Sequence, residues 1–273
     1  MTNKRSVFFV SDRTGITAET LGHSLLTQFD VELELVTLPF VDTPERAHQA
    51  LRQIKEANEA SGQRSLVFST VIDDEVRVIL ADAEAVLFDF FETFIAPLER
   101  ELNLSSTHTV GRSHGVVNNS MYDVRIDAMN YALNHDDGVT TSHYGQADVV
   151  LVGVSRSGKT PACIYLALQY GIYAANYPLT EEDLDDMRLP SALEPYRAKL
   201  YGLSILPDRL EQIRSQRRAN SRYASPRQCQ YEVAWAEKLF RRERIPFVNT
   251  TTMSIEEIST TILHERKLKR RLY

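Results

Sequence analysis

The sequence predicts an α/β fold: an N-terminal parallel-sheet α/β domain, then a second α/β domain that carries a phosphate-loop motif and has a helical C-terminal end. Three observations predict it. Strand-like and helix-like segments alternate through the first part of the chain, the rhythm of a parallel sheet with helices on both faces. Further on, the apolar run Ala147 to Val152 leads into Gly153-Val154-Ser155-Arg156-Ser157-Gly158-Lys159-Thr160 and then a helical pattern. Finally, 273 residues with 43% apolar content can bury a substantial core, in one large domain or two modest ones.

Taken in order, Val7–Val10 is the first strand, followed by a helix from about Thr17 to Gln28 and a strand over Leu33–Val41. The next helix opens on Thr43 as N-cap with Pro44 as its first residue, and Gly62 stops it. Strands follow at Leu66–Thr70 and Ala85–Phe90. Between about Val110 and Gly145 the text turns to Gly, Asn, His and Asp around one helical stretch, Asp123–Asn134, so a domain junction is placed there. This gives an N-terminal domain over 1–110, a junction over 111–145 and a nucleotide-binding domain over 146–273. The last part reads as strand Val149–Val152, the loop, a helix to about Tyr170, and strands near Ile172–Asn176 and Leu200–Ile205. Pro207 opens one further helix, Ser225-Pro226 a second, and Ser254 with Glu257 forms a capping box for a third. Cys229, Val233, Ala236 and Phe240 recur at helical spacing, which is the pattern of a core stripe.

Composition excludes several classes. No uninterrupted apolar stretch approaches the ~18 residues of a membrane span, and the N-terminus enters a strand with no signal-peptide layout. The expected compartment is the cytoplasm, with no membrane partner. Two cysteines, Cys163 and Cys229, are too few for a disulfide framework, and no Cys/His cluster has metal-ligand spacing. The net charge of −6 hides an asymmetry: from Pro207 onward there are 15 Lys/Arg against 8 Asp/Glu. That basic end suits phosphates or an acidic protein face, or is simply solvated helix surface. Aromatics do not interleave with it, which argues against nucleic acid.

The loop carries the clearest chemistry. Glycines bring backbone amides close to phosphate oxygens, Lys159 reaches the terminal phosphate, and the Thr160 hydroxyl joins a Mg²⁺ shell. Residues Gly153 to Thr160 are therefore the expected nucleotide site. Pro161 suits the first helical turn, where a missing N–H costs little. A phosphate loop alone does not name a reaction. His135-Asp136-Asp137-Gly138 supplies either a carboxylate that accepts a proton from a hydroxyl nucleophile or merely a helix end with a glycine stop. Ser11 to Glu19, at the first strand-to-helix turn, is either an anion site with Arg13 or a turn capped by Thr14 and Thr17. Arg214, Arg217, Arg218 and Arg222 fall at helical spacing, so several can share one helix face, for phosphate, a partner or solvent. No convincing metal-ordering aspartate ends an apolar run downstream of the loop; Val86-Leu87-Phe88-Asp89 has the texture, but its place in the chain makes Asp89 a strand-end residue.

The same residues carry a resemblance that spans essentially the whole chain. Val7–Glu19, Leu38-Pro39-Phe40-Val41, His135–Gly138, Gly153–Pro161, Ala174-Ala175-Asn176-Tyr177-Pro178, Asn220-Ser221-Arg222-Tyr223-Ala224-Ser225 and Ser254–Ile258 resemble the phosphoenolpyruvate synthase regulatory proteins. Regulators of pyruvate, phosphate dikinase are more distant in that resemblance. The resemblance implies a P-loop-containing, kinase-like second domain and a bifunctional enzyme. It would be an ADP-dependent serine/threonine protein kinase that phosphorylates a threonine near the catalytic histidine of phosphoenolpyruvate synthase, inactivating it. With inorganic phosphate it would remove that group and release pyrophosphate. The implied catalytic residues are Lys159 and Asp137, with Asp136 as the latter's substitute, and Thr160 on the metal. A homodimer is one expectation for the assembly. Two other readings stay open: a nucleotide-sensing binding module without turnover, and an ATP-dependent small-molecule kinase.

Overall fold

A computed structural model describes residues 4–107, 119–138, 140–185, 188–219 and 221–272. Asn220, Val139 and residues 108–118 of the expected junction lie outside the described residues. The chain divides into two compact units, Met1–Gly115 and Val116–Tyr273.

In the first unit, strands β1 (Arg5–Val10), β2 (Leu33–Leu38), β3 (Leu66–Ser69) and β4 (Val86–Asp89) form a parallel sheet in the order β2-β1-β3-β4. Val7 sits opposite both Leu35 and Leu66. Helices α1 (Ile16–Leu26), α2 (Pro44–Ser61) and α3 (Asp74–Ala81) link the strands, and α4 (Phe90–Leu102) follows the last of them. A central strand covered on both faces must be apolar at successive positions, and β1 is. Phe8 and Val10 pack with Ala47, Ala50, Ile54, Val76 and Leu80, whereas Val7 and Phe9 pack with Ala18 and Phe68. The cap signals act as their chemistry dictates. Thr43 accepts from the Arg46 amide, Gly62 ends α2 at φ 67°, and Asp89 ends β4 by accepting from the Glu92 amide and from Arg77 Nε at 2.9 Å.

The Ser11–Glu19 turn departs from expectation. Neither Thr14 nor Thr17 caps α1; its N-cap is Gly15 at φ 84°, with no side-chain cap. A Cβ there would lie 2.9 Å from Thr37 Cγ2, so both backbone and space demand glycine. Asp12 is buried and accepts from the Ile72 amide at 3.2 Å, tying the carboxyl ends of β1 and β3; burial raises its pKa. Further along α1, Gly22 faces the sheet so closely that a Cβ would fall 2.5 Å from Phe9 Cε1 and 2.9 Å from Phe68 Cγ. Gly22→Ala therefore reverses the usual helix-propensity gain and destabilises by about 1–3 kcal/mol, measurable as a lower urea midpoint with unchanged slope.

The second unit repeats the arrangement. Strands β5 (Val149–Gly153), β6 (Ala174–Pro178), β7 (Leu200–Ser204) and β8 (Phe247–Asn249) are parallel in the order β6-β5-β7-β8. Helix α5 (Asn119–Asn134) precedes the sheet and packs on it through Ala128 and Ala132, so the helical stretch expected in the junction belongs to this unit and begins four residues earlier. It is followed by α6 (Lys159–Tyr170), α7 (Glu181–Asp185), α8 (Pro207–Arg217), α9 (Pro226–Glu243) and α10 (Ile255–Glu265). Val150 and Val152 face a core with Leu210 and the α9 stripe Cys229, Val233, Ala236 and Phe240; Val149 and Leu151 face one with Ala162, Cys163, Leu166 and Ile262. Ser225 caps α9, and Ser254 with Glu257 forms the capping box of α10. In such a sheet the strand order reverses between β5 and β7, and the crevice at the carboxyl ends there is where ligands bind.

Candidate functional site

That crevice is occupied by the loop between β5 and α6. Gly153 is required by space: a Cβ would lie 2.4 Å from the Leu203 carbonyl oxygen of β7. Arg156, at φ 78°, and Gly158, at φ 92°, turn the chain through left-handed backbone, and Gly158 N-caps α6 without a side-chain cap. Four of its carbonyls are taken. Gly153 O accepts from the Leu179 amide at 3.0 Å, Val154 O from Lys159 Nζ at 3.0 Å, Ser155 O from Arg214 Nη2 at 3.1 Å and Ser157 O from Thr250 Oγ1 at 3.2 Å. The amides of Ser155, Arg156 and Gly158 have no acceptor among the described residues. Carbonyls turned inward and unpaired amides at a helix start make an anion cradle.

Lys159 is 3% exposed, and burial pushes its pKa down to about 8, opposed chiefly by the nearby charge of Asp137. A lysine so placed gains a strong partner when an anion enters.

The two aspartates reach the loop from upstream. After α5 the chain makes a tight turn in which Asp137 (φ 49°) and Gly138 (φ 68°) are left-handed. Asn176, wholly buried in β6, fixes this turn: its amide N donates to His135 O at 3.1 Å, its Oδ1 accepts from the Asp137 amide at 3.1 Å, and its Nδ2 donates to Asp136 Oδ1. That same Asp136 oxygen accepts from Thr160 Oγ1 at 2.8 Å. The Asp137 carboxylate is exposed and makes no hydrogen bond or ion pair among the described residues. His135 stacks on Tyr131 with ring centroids 4.1 Å apart, its Nδ1 donating to Tyr131 O. At the end of β7, where a second carboxylate is common in phosphate-loop proteins, stands Ser204, whose hydroxyl donates to Glu237 at 2.6 Å. The carboxylate beside the threonine therefore comes from upstream.

The arginines do not share a face. Helix α8 ends at Arg217, Arg218 is its C-cap at φ −143°, and Arg222 lies in a separate 3-10 turn beside Glu181. Arg214 is fully buried and bonds Glu232 at 2.6 Å, while Arg217, Arg218 and Arg222 are exposed. Helical spacing assumes one continuous helix, and here it breaks. Sequence reasoning gave no role to Asn176 as an isolated residue, to Thr250, Tyr223 or Glu232. Asn176 alone had a signal: a fully polar side chain inside an apolar strand.

An anion cradle with a buried lysine, a threonine hydroxyl and a free carboxylate has the chemistry to hold a phosphoryl group and accept a proton as it moves. A family model described as kinase/pyrophosphorylase matches residues 7–263. The chain belongs to that family. It is 68% identical over 270 residues (99% of this chain, 98% of the relative) to a protein of Alkalilimnicola ehrlichii provisionally named phosphoenolpyruvate synthase regulatory protein. A protein of Halorhodospira halophila with the same provisional name is 66% identical over 273 residues, the full length of both, and one of Pseudomonas aeruginosa is 52% identical over 272 residues, 99% of both. No helix among the described residues is long and apolar enough to cross a membrane.

Proposed function

We propose that this chain regulates phosphoenolpyruvate synthase by reversible phosphorylation: it moves the β-phosphoryl group of ADP to a threonine of the synthase and, with inorganic phosphate, removes it as pyrophosphate. The names of its full-length relatives support the partner, and the family supports the pair of activities. The observation that carries the chemistry is the 2.8 Å contact of Thr160 with Asp136 beside Lys159, with Asp137 left free one residue on.

In the forward direction the threonine oxygen attacks the β-phosphorus of ADP, the bond to the α,β-bridging oxygen breaks, AMP leaves, and the hydroxyl proton passes to Asp137. In the other direction an oxygen of hydrogen phosphate attacks the phosphothreonine phosphorus, the bond to the threonine oxygen breaks, pyrophosphate leaves, and Asp137 relays the proton of the attacking phosphate to the threonine oxygen. The amides of Ser155, Arg156 and Gly158 hold the phosphate oxygens in both, and Lys159 neutralises the group in transit. Magnesium, when bound, would lower the charge on the phosphates. Thr160 and Asp136 suit it: two adjacent hard oxygen donors, the remaining positions left to phosphates and water, is how magnesium is commonly held. In this reading Asp136 serves the metal and Asp137 the proton.

Incubating the protein and the synthase with ADP labelled in its β-phosphoryl group tests this. Label on a synthase threonine, with AMP as co-product, is the expected result; an unlabelled synthase in the presence of bound ADP would make the chain a sensor instead.

A further inference from the structure

Arg214 is the largest fully buried side chain among the described residues, and it lies against the phosphate loop. One nitrogen, Nη2, donates both to Glu232 Oε2 at 2.6 Å and to the Ser155 carbonyl at 3.1 Å; the other, Nη1, donates to the Tyr223 carbonyl at 3.0 Å. The guanidinium carbon sits 4.1 Å from the Tyr223 ring centroid, and the Tyr223 hydroxyl meets Ser155 Oγ at 2.9 Å. Glu232 is fixed in turn, its Oε1 accepting from Gln228 Nε2 at 3.0 Å. A buried arginine is costly to desolvate, and a chain that needed only packing there could use an apolar residue without loss. What the guanidinium does, and an apolar side chain could not, is hold two backbone carbonyls, and the one within the loop is that of Ser155.

That carbonyl decides where an amide points. The peptide unit is planar and trans, so its C=O and the following N–H are antiparallel. Drawing the Ser155 oxygen toward Arg214 turns the Arg156 amide away from the buried guanidinium, and the left-handed φ of 78° at Arg156 follows from the same turn. The Arg156 amide is among those without an acceptor.

Resting on the reading of this loop as a phosphate site, we infer that Arg214, held by Glu232, is a positioning residue: it anchors the Ser155 carbonyl and so presents the Arg156 amide to the bound phosphate. Arg214 touches no substrate; it acts through the loop backbone.

The test uses Arg214→Met/Glu232→Leu, which removes both buried charges together and so avoids stranding either, and Arg214→Lys, which keeps the pair with Glu232 but cannot fork across three acceptors. Each is compared with the wild type by hydrogen exchange without ligand at the Ser157 amide, which bonds the Val154 carbonyl at 3.3 Å within the loop, by thermal melting, and by ADP and phosphate titration. The expected result is a melting temperature near that of the wild type for both variants. Loop exchange in the double variant rises about tenfold to a hundredfold, ADP and phosphate affinity falls by a similar factor, and Arg214→Lys lies between. Unchanged exchange and affinity in a folded double variant would overturn the inference; if that variant does not fold, the same readouts on Arg214→Lys decide it. A wild type that binds neither ADP nor phosphate would refute the phosphate reading, and loop exchange alone would then decide whether Arg214 anchors the loop.

Discussion

Lys159→Met abolishes both transfer directions, by about a thousandfold or more, and leaves the protein at least as stable as the wild type at pH 7. The two halves have separate causes. Catalysis of phosphoryl transfer is mostly positioning and charge stabilisation, so losing the one cation buried in the loop costs several kcal/mol of transition-state stabilisation, on the order of 10³-fold. Stability moves the other way because burial holds the folded pKa at about 8, below the ordinary 10.5. The buried ammonium is therefore held at a cost at every pH below about 8, and that cost fades as pH rises toward 10.5, where the unfolded chain also loses its proton. The wild type gains stability across this window and the methionine variant does not. The Val154 carbonyl released by the substitution keeps its second donor, the Ser157 amide at 3.3 Å. Melting curves at pH 7 and 10 alongside both assays check this, and retained phosphorolysis would show that the two reactions use separate sites.

Asp137→Asn lowers the rate of threonine phosphorylation by about 10²- to 10⁴-fold, the usual contribution of a positioned general base, with ADP affinity nearly unchanged. Asparagine keeps the size of the side chain and leaves the backbone amide bonded to Asn176. Its left-handed φ of 49° suits asparagine as well as aspartate. Asp136→Asn differs in kind: it disturbs the oxygen pair with Thr160, so its defect is relieved in part by raising magnesium, whereas that of Asp137→Asn is not. Rates measured across a magnesium titration separate the two, and the reverse pattern would exchange their roles.

Local chemistry made the fold readable. Thr43, Ser225 and Ser254 with Glu257 each satisfy amides within a few residues, and Pro44, Pro207 and Pro226 stand at helix starts where a missing N–H costs little, so their helices begin where the sequence places them. The α9 stripe was equally plain, because burial imposes its period. The site was legible only in part. The loop is a contiguous motif, but the contact of Asp136 with Thr160 spans 24 residues and depends on Asn176 in a strand 40 residues from Asp136. The start of α1 lies within a residue of where the sequence places it, but its cap was not legible, because Thr14 and Thr17 have capping chemistry while the close approach of Thr37 selects Gly15. The arginines were misjudged because nothing local to Arg214 reveals Glu232 and Ser155 as its partners.

In the proposed reaction one loop serves both directions, phosphate lying in the reverse reaction where the β-phosphate of ADP lies in the forward one. The direct test is inhibition of phosphate-dependent pyrophosphate release from phosphorylated synthase by α,β-methylene-ADP, whose β-phosphoryl group cannot be transferred. A single site predicts competition with phosphate, fully relieved at high phosphate; inhibition that phosphate does not relieve, or none at concentrations that block the kinase reaction, would contradict it.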